Sequence, residues 1–99
     1  MTKITFRQKA IEDLSKIWDY TISEWSEIQA DKYYSSIKFS CNEIGLNPKI
    51  GKEYTGISTS LLGLKSGKHI IFYHQVSENE IEIIRILHEQ MDLENRIIE

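Results

Sequence analysis

Arg85 and His88 stand three residues apart near the end of the apolar run Ile81-Glu82-Ile83-Ile84-Arg85-Ile86-Leu87-His88. At that spacing the two could jointly serve a phosphodiester. The guanidinium would stabilise charge developing on the phosphorus oxygens, and the imidazole would act as general acid or base. The alternative is structural, because a guanidinium inside an apolar strand needs a partner or an exit to water. Arg85 would then pair with one of the acids nearby, and His88 would close the strand end. The tail that follows is acidic, whereas an RNA-cleaving site wants cations around it, so the structural alternative carries more weight.

The other candidates are weaker. His69 and His74 are five apart on one expected strand, so they point to opposite faces and do not share a metal ion with His88. With Cys41 as the only cysteine there is no internal disulfide and no cysteine-based metal cluster. No metal or cofactor is expected. Trp18, Trp25, Tyr33 and Tyr34 concentrate on helical stripes, where aromatic residues are usually core; Tyr33 and Tyr34 are adjacent, so one hydroxyl is expected to reach water.

Composition narrows the classes. Ninety-nine residues make one domain, 1–99, and the 40% hydrophobic and 27% charged fractions are those of an ordinary globular protein. No apolar run approaches the roughly 20 residues of a membrane span. The segment Met1 to Arg7 lacks the apolar core of a signal peptide, and with one cysteine a cytoplasmic setting is expected. The net charge of −3 provides no global field for nucleic acid. The charge is nonetheless uneven. Lys49, Lys52, Lys65 and Lys68 face only Glu53 over residues 49–68, while residues 77–99 carry seven acids against Arg85 and Arg96. Such patches are either solvated faces or halves of protein-binding surfaces that steer association.

The elements that must position these groups follow from periodicity. Lys3 to Arg7 alternates as a short strand. Ala10, Leu14, Ile17, Trp18, Thr21, Ile22 and Trp25 form a helical stripe over 8–25, with Glu12, Asp13, Lys16 and Asp19 on the other side. Ser26 with Gln29 predicts a capping box opening a second helix, which runs to about Leu46 and is stopped by Gly45 and Pro48. Two helices so closely joined form an αα-hairpin. Residues 47–60 read as loop and 61–65 as a strand. Residues 68–88 read as a β-hairpin with the four-residue loop Ser77-Glu78-Asn79-Glu80. Its second strand is apolar on both alternating sets, Ile81, Ile83 and Leu87 against Ile84 and Ile86, so it is covered on both faces. Residues 89–99 read as a short helix or ordered tail. The fold class is α+β: strand, αα-hairpin, then a three-stranded antiparallel meander with the helices on one face. Pattern alone leaves open which edge the first strand joins.

Ala10 with Asp13-Leu14 and Ile17, Tyr20, Trp25 with Gln29-Ala30 and Tyr33, Pro48 with Gly51, Gly67 with His69, Ile71 and Tyr73, and above all the segment from His69 to Asp92 resemble the ParE toxins of the RelE/ParE superfamily. The resemblance spans about Ile4 to Asp92. Arg7 departs from it, standing where such chains often have a Ser or Thr capping the first helix. The resemblance implies a type II toxin without chemistry of its own. It would inhibit DNA gyrase by protein–protein binding and be neutralised by a ParD-like antitoxin. Neither membrane contact nor sequence-specific nucleic-acid binding is expected. On that reading Arg85, His88, Met91 and Asp92, with the tail to Ile98, contribute to the target-binding surface, and Lys49, Lys52, Lys65 and Lys68 meet the antitoxin. The superfamily's other branch supplies one alternative, a RelE-like ribosome-dependent endoribonuclease using Arg85 and His88. A remnant that binds antitoxin without being toxic is the other. The acidic balance favours the inhibitor.

Overall fold

In a computed structural model, residues 2–97 are described. Strand β1 (Lys3–Phe6) leads into α1 (Gln8–Glu24) and α2 (Glu27–Leu46). Strands β2 (Lys52–Glu53), β3 (Leu62–Ser66), β4 (His69–Ser77) and β5 (Glu80–His88) follow, and then the short helix α3 (Leu93–Ile97). The sheet has five strands in the order β1-β5-β4-β3-β2. It is the expected meander enlarged at both edges. The question of the first strand is answered at β5, against which β1 runs parallel with Lys3 opposite Glu80 and Phe6 opposite Ile83. At the other edge, two residues of the expected loop pair with β3 as β2.

The second helix starts as read, through the Ser26 half of the capping box. The Gln29 N–H donates to Ser26 Oγ at 3.1 Å, capping α2. Arg7 is the N-cap of α1 and makes no side-chain cap bond; it reaches Glu82 instead, at 3.1 Å. Gly45 lies inside the last turn of α2, where a Cβ would stand 3.0 Å from Ile4 Cδ1, so it admits β1 closely as well as preceding the stop.

The hairpin from β4 to β5 is tighter than expected. Ser77 pairs with Glu80, leaving Glu78-Asn79 as a two-residue loop, and irregularities interrupt the ladder at Gln75/Ser77 and Phe72/Tyr73. The second has the larger consequence. Phe72 pairs with Arg85 while Tyr73 pairs with Ile83, so Ile84 is a bulge residue and the alternation of β5 inverts there. The core faces therefore differ from strict alternation. Ile81, Ile83 and Ile86 join Ala10, Ile37, Cys41 and Ile44 beneath the helical hairpin. Ile84 and Leu87 join Leu61, Ile70 and Phe72 on the opposite face, closed by Tyr54, Ile57, Leu93 and Ile97. The strand is apolar on both sets because both of its faces are covered, one by α1 and α2, the other by the 54–61 segment and α3.

The β3–β4 turn depends on Gly67, at φ +61°. A Cβ there would meet Tyr33 Cε1 at 2.7 Å and its hydroxyl at 2.8 Å. That hydroxyl accepts from the Lys68 N–H at 3.1 Å, sits 3.2 Å from the Ser66 carbonyl and is 2.6 Å from His69 Nδ1. Gly67→Ala combines left-handed backbone strain with displacement of this hydrogen-bonded ring. We expect a loss of about 2–3 kcal/mol in urea unfolding, against a change within about 0.5 kcal/mol for Gly56→Ala, where no atom lies within 4 Å of the added carbon. Equal effects of the two substitutions would contradict this account of the turn.

Candidate functional site

Arg85 is buried, and its partner is none of the acids near it in sequence but a carboxylate of α1. Asp13, assigned by periodicity to the polar side of α1, is 7% exposed, as is Arg85. Arg85 Nε donates to Asp13 Oδ2 at 2.8 Å and Nη2 to Oδ1 at 3.0 Å, a bidentate pair. Asp13 Oδ2 also accepts the Ile86 N–H at 3.0 Å. The reason is topological. β1 pairs with β5 only as far as Ile83, after which the chain turns into α1. The edge of β5 beyond that point would leave Ile86 without a ladder partner, and Asp13, one turn into α1, supplies the acceptor. The bulge at Ile84 re-aims Arg85 toward the same carboxylate. Its Nη1 donates to the Arg96 carbonyl at 2.6 Å, so one guanidinium joins α1, β5 and α3.

His88 is partly exposed at the end of β5, its Nδ1 accepting from the Gln90 N–H at 3.1 Å. Its ring packs edge-on against His69, centroids 5.4 Å apart, and His69 packs in turn on Tyr33 at the same separation. Burial, then the neighbouring His88, pushes the His69 imidazole down from its usual 6.5 to about 4, so it is neutral at physiological pH. Burial raises the Tyr33 phenol, which stays protonated. His74 lies on the opposite sheet face, paired with Glu82, as the spacing predicts. Among the described residues no group of three or more His, Cys, Asp or Glu could hold a metal ion.

The chain places the remaining candidates as follows. Met91 is 44% exposed, just past β5. Asp92 caps α3, accepting from the Asn95 N–H at 3.4 Å and its side-chain amide at 2.5 Å. Ile98 lies outside the described residues. The four lysines have different surroundings. Lys65 pairs with Glu89 at 2.9 Å, Lys52 sits 5.6 Å over the Tyr54 ring, Lys49 is exposed after α2, and Lys68 is in the β3–β4 turn.

The aromatic cluster of the hairpin is not core throughout. Trp18 and Tyr34 meet edge-on, centroids 6.1 Å apart, in an apolar groove of about 310 Å³ over the hairpin with Ile11 and Leu14. Trp25 is 74% exposed and Tyr20 64%. Together with Tyr33 they line a second, wider groove of about 940 Å³ between α1, the β3–β4 turn and the end of β5, which also takes in His69, His88 and Met91. Tyr20 lies off the apolar stripe and Trp25 is the C-cap residue of α1, and both rings are exposed. Sequence reasoning missed Asp13 and this groove. The signals for Asp13 were its place in the Asp13-Leu14 pair that helps carry the family resemblance and its position one turn before Ile17, at the margin of the apolar stripe.

Comparison with known proteins places the chain. A family model described as the ParE toxin of the type II toxin–antitoxin system parDE matches residues 4–93. Toxin ParE1 from two strains of Mycobacterium tuberculosis, CDC 1551 / Oshkosh and ATCC 25618 / H37Rv, is 31% identical over 84 residues, covering 85% of this chain and 86% of each relative. The solved structure of the chromosomal ParDE toxin–antitoxin system from P. aeruginosa superposes with a TM-score of 0.75 over 89% of this chain and 96% of that one. At 20% identity it speaks for the fold.

Proposed function

We infer the function from one premise: the chain belongs to the ParE toxin family of type II toxin–antitoxin systems. On that basis its target is DNA gyrase, bound by protein–protein contact and without chemistry by the toxin, and its neutralising partner is a ParD-like antitoxin. The family match across residues 4–93 carries this reading. The buried ion pair supports it against the ribonuclease alternative, because the guanidinium a nuclease would turn toward a scissile phosphate is engaged by Asp13 and the Arg96 carbonyl. Arg85 then acts on the target surface indirectly, as a positioning residue. It holds α3 beside His88, Met91 and Asp92, which are the side chains offered to gyrase.

The antitoxin reading draws on three features. β1 is an edge strand with one side unpaired, open to β-augmentation. The apolar groove over the hairpin suits an amphipathic helix. Lys49, Lys52 and Lys68, with Lys65 beside its partner Glu89, give cationic contacts to an acidic segment.

A supercoiling assay with purified gyrase tests the target. Inhibition is expected at about micromolar protein, weakened on the order of 10-fold by Met91→Asp with the unfolding midpoint unchanged. Absence of inhibition by a folded chain would refute gyrase as the target. Codon-linked mRNA cuts after induction would instead establish the nuclease.

A further inference from the structure

Helix α2 has two apolar faces. Ala30, Ile37, Cys41 and Ile44 are buried and turned to the core. Half a turn round the helix, Ile28, Phe39 and Leu46 point away from it, 68%, 63% and 83% exposed. With Lys32, Ser35 and Asn42 between them, the row advances by four and three residues in alternation. That is the narrow stripe along which one helix meets a second in a seam. Apolar side chains scattered singly over a surface need no partner, but a straight row along a helix leaves a strip of hydrocarbon in water. None of its residues lines the groove between α1 and α2 or the wider one at the end of β5.

The row is complementary to itself. In an antiparallel pair of α2 helices related by a two-fold axis at mid-helix, Ile28 of one copy meets Leu46 of the other. Phe39 then comes over the small Ser35, and Lys32 beside Asn42 and its neighbour Glu43. Lys32 and Glu43 lie on the same flank of the row, so the symmetry brings them together twice, once at each end. Neither takes part in an ion pair within the chain, counted among the described residues. A parallel pair would instead set Lys32 against Lys32 and leave the carboxylates unused. The charges therefore select the antiparallel register.

We propose that the outer face of α2 is the contact with a second copy of this chain, in that antiparallel register. The polar layers at Lys32 and Asn42 give up strength for register, and the contact is one helix wide. The dimer is accordingly weak, with a dissociation constant on the order of 100 µM. It is independent of gyrase as the target: a chain that fails to inhibit supercoiling can still pair.

Sedimentation equilibrium of the full chain from about 5 to about 500 µM tests it. The apparent mass should rise from the 11.6 kDa of one chain toward twice that value. Phe39→Glu, at an exposed position, should hold the chain monomeric throughout with its unfolding midpoint unchanged. Val76→Glu, at a comparably exposed apolar position on β4, should dimerise like the parent. Lys32→Glu and Glu43→Lys should each weaken the dimer on the order of 10-fold, since each change acts at both ends of the seam. The double variant Lys32→Glu/Glu43→Lys exchanges the charges and should regain the parent's affinity. The proposal is overturned if the parent stays monomeric at about 500 µM, if Phe39→Glu associates like the parent, or if Val76→Glu weakens the dimer as much. A charge exchange that regains nothing likewise overturns it. Loss of ParD-like antitoxin binding by Phe39→Glu, from a parent that never dimerises, would give the face to the antitoxin instead.

Discussion

Asp13→Ala should destabilise the fold by about 3–5 kcal/mol, measured as a drop in the urea midpoint, because it leaves the Arg85 guanidinium buried without its counter-charge and the Ile86 N–H without an acceptor. That is a large part of the roughly 5–15 kcal/mol available to a small domain. Arg85→Ala should cost a similar amount and in addition release the Arg96 carbonyl, so α3 should exchange its amide hydrogens faster than β4 and β5 do. The double replacement Asp13→Leu/Arg85→Met separates the value of the pair from the penalty of breaking it. Apolar side chains of similar volume remove both buried charges together, and most of the loss should be recovered. The remaining deficit should be about 1 kcal/mol, because the Ile86 N–H stays unsatisfied. A double variant as unstable as either single one would show that the pair does more than neutralise itself.

Acid should destabilise the protein over a window set by His69. In the folded chain the imidazole gains its proton only near pH 4, whereas the unfolded chain takes it up near 6.5. The unfolded state therefore binds more protons between those limits. The stabilisation is complete above about 6.5 and is lost as pH falls to about 4. The shift corresponds to at most about 3 kcal/mol, and to about 2 once the partial solvent contact of the ring is allowed for. His74, lowered by burial and by Arg7, adds to the loss in the same direction. Glu89, held below its usual value of 4.5 by Lys65, extends the loss to still lower pH. Unfolding midpoints between about pH 7.5 and 4.5 should fall steeply for the parent and less steeply for His69→Gln, whose side chain can still accept from Tyr33. Equal slopes would remove His69 from the explanation.

Much of this architecture is written in local pattern. The two helices, the Ser26 cap and the β4–β5 hairpin follow from spacing, and so does the separation of His69 from His74; the uncapped start at Arg7 was visible only against the family resemblance. What periodicity could not supply depends on register between distant segments. The bulge at Ile84 reverses the faces of Ile86 and Leu87, and it arises from the fit of β5 against β4 and not from any residue of its own. Asp13 looks like a solvated helix position until the pairing of β1 with β5 is known to end at Ile83, which leaves the Ile86 N–H to an acceptor on α1. Trp25 fits the apolar stripe yet stands exposed as the C-cap residue of α1, at the point where the chain leaves the helix. Of the site residues, His88, Met91 and Asp92 lie where their order in the chain suggests. Arg85 is the one whose role changed most, from a surface contact to the inner joint of three elements.

The parallel pairing of β1 with β5 has a consequence for how the chain comes into being. Asp13 and Arg85 are 72 residues apart, and β1 finds its partner only at Glu80. During synthesis the first strand and both helices emerge long before the strand that completes their sheet. Loop closure of that span must precede the contacts that reward it. A chain halted before Glu80 holds β1 without a neighbour and Asp13 without its cation. It also lacks the whole run from Ile81 to Leu87, on which both faces of the core are built. The fold is therefore closed by its last strand, and an interrupted translation yields no smaller version of it.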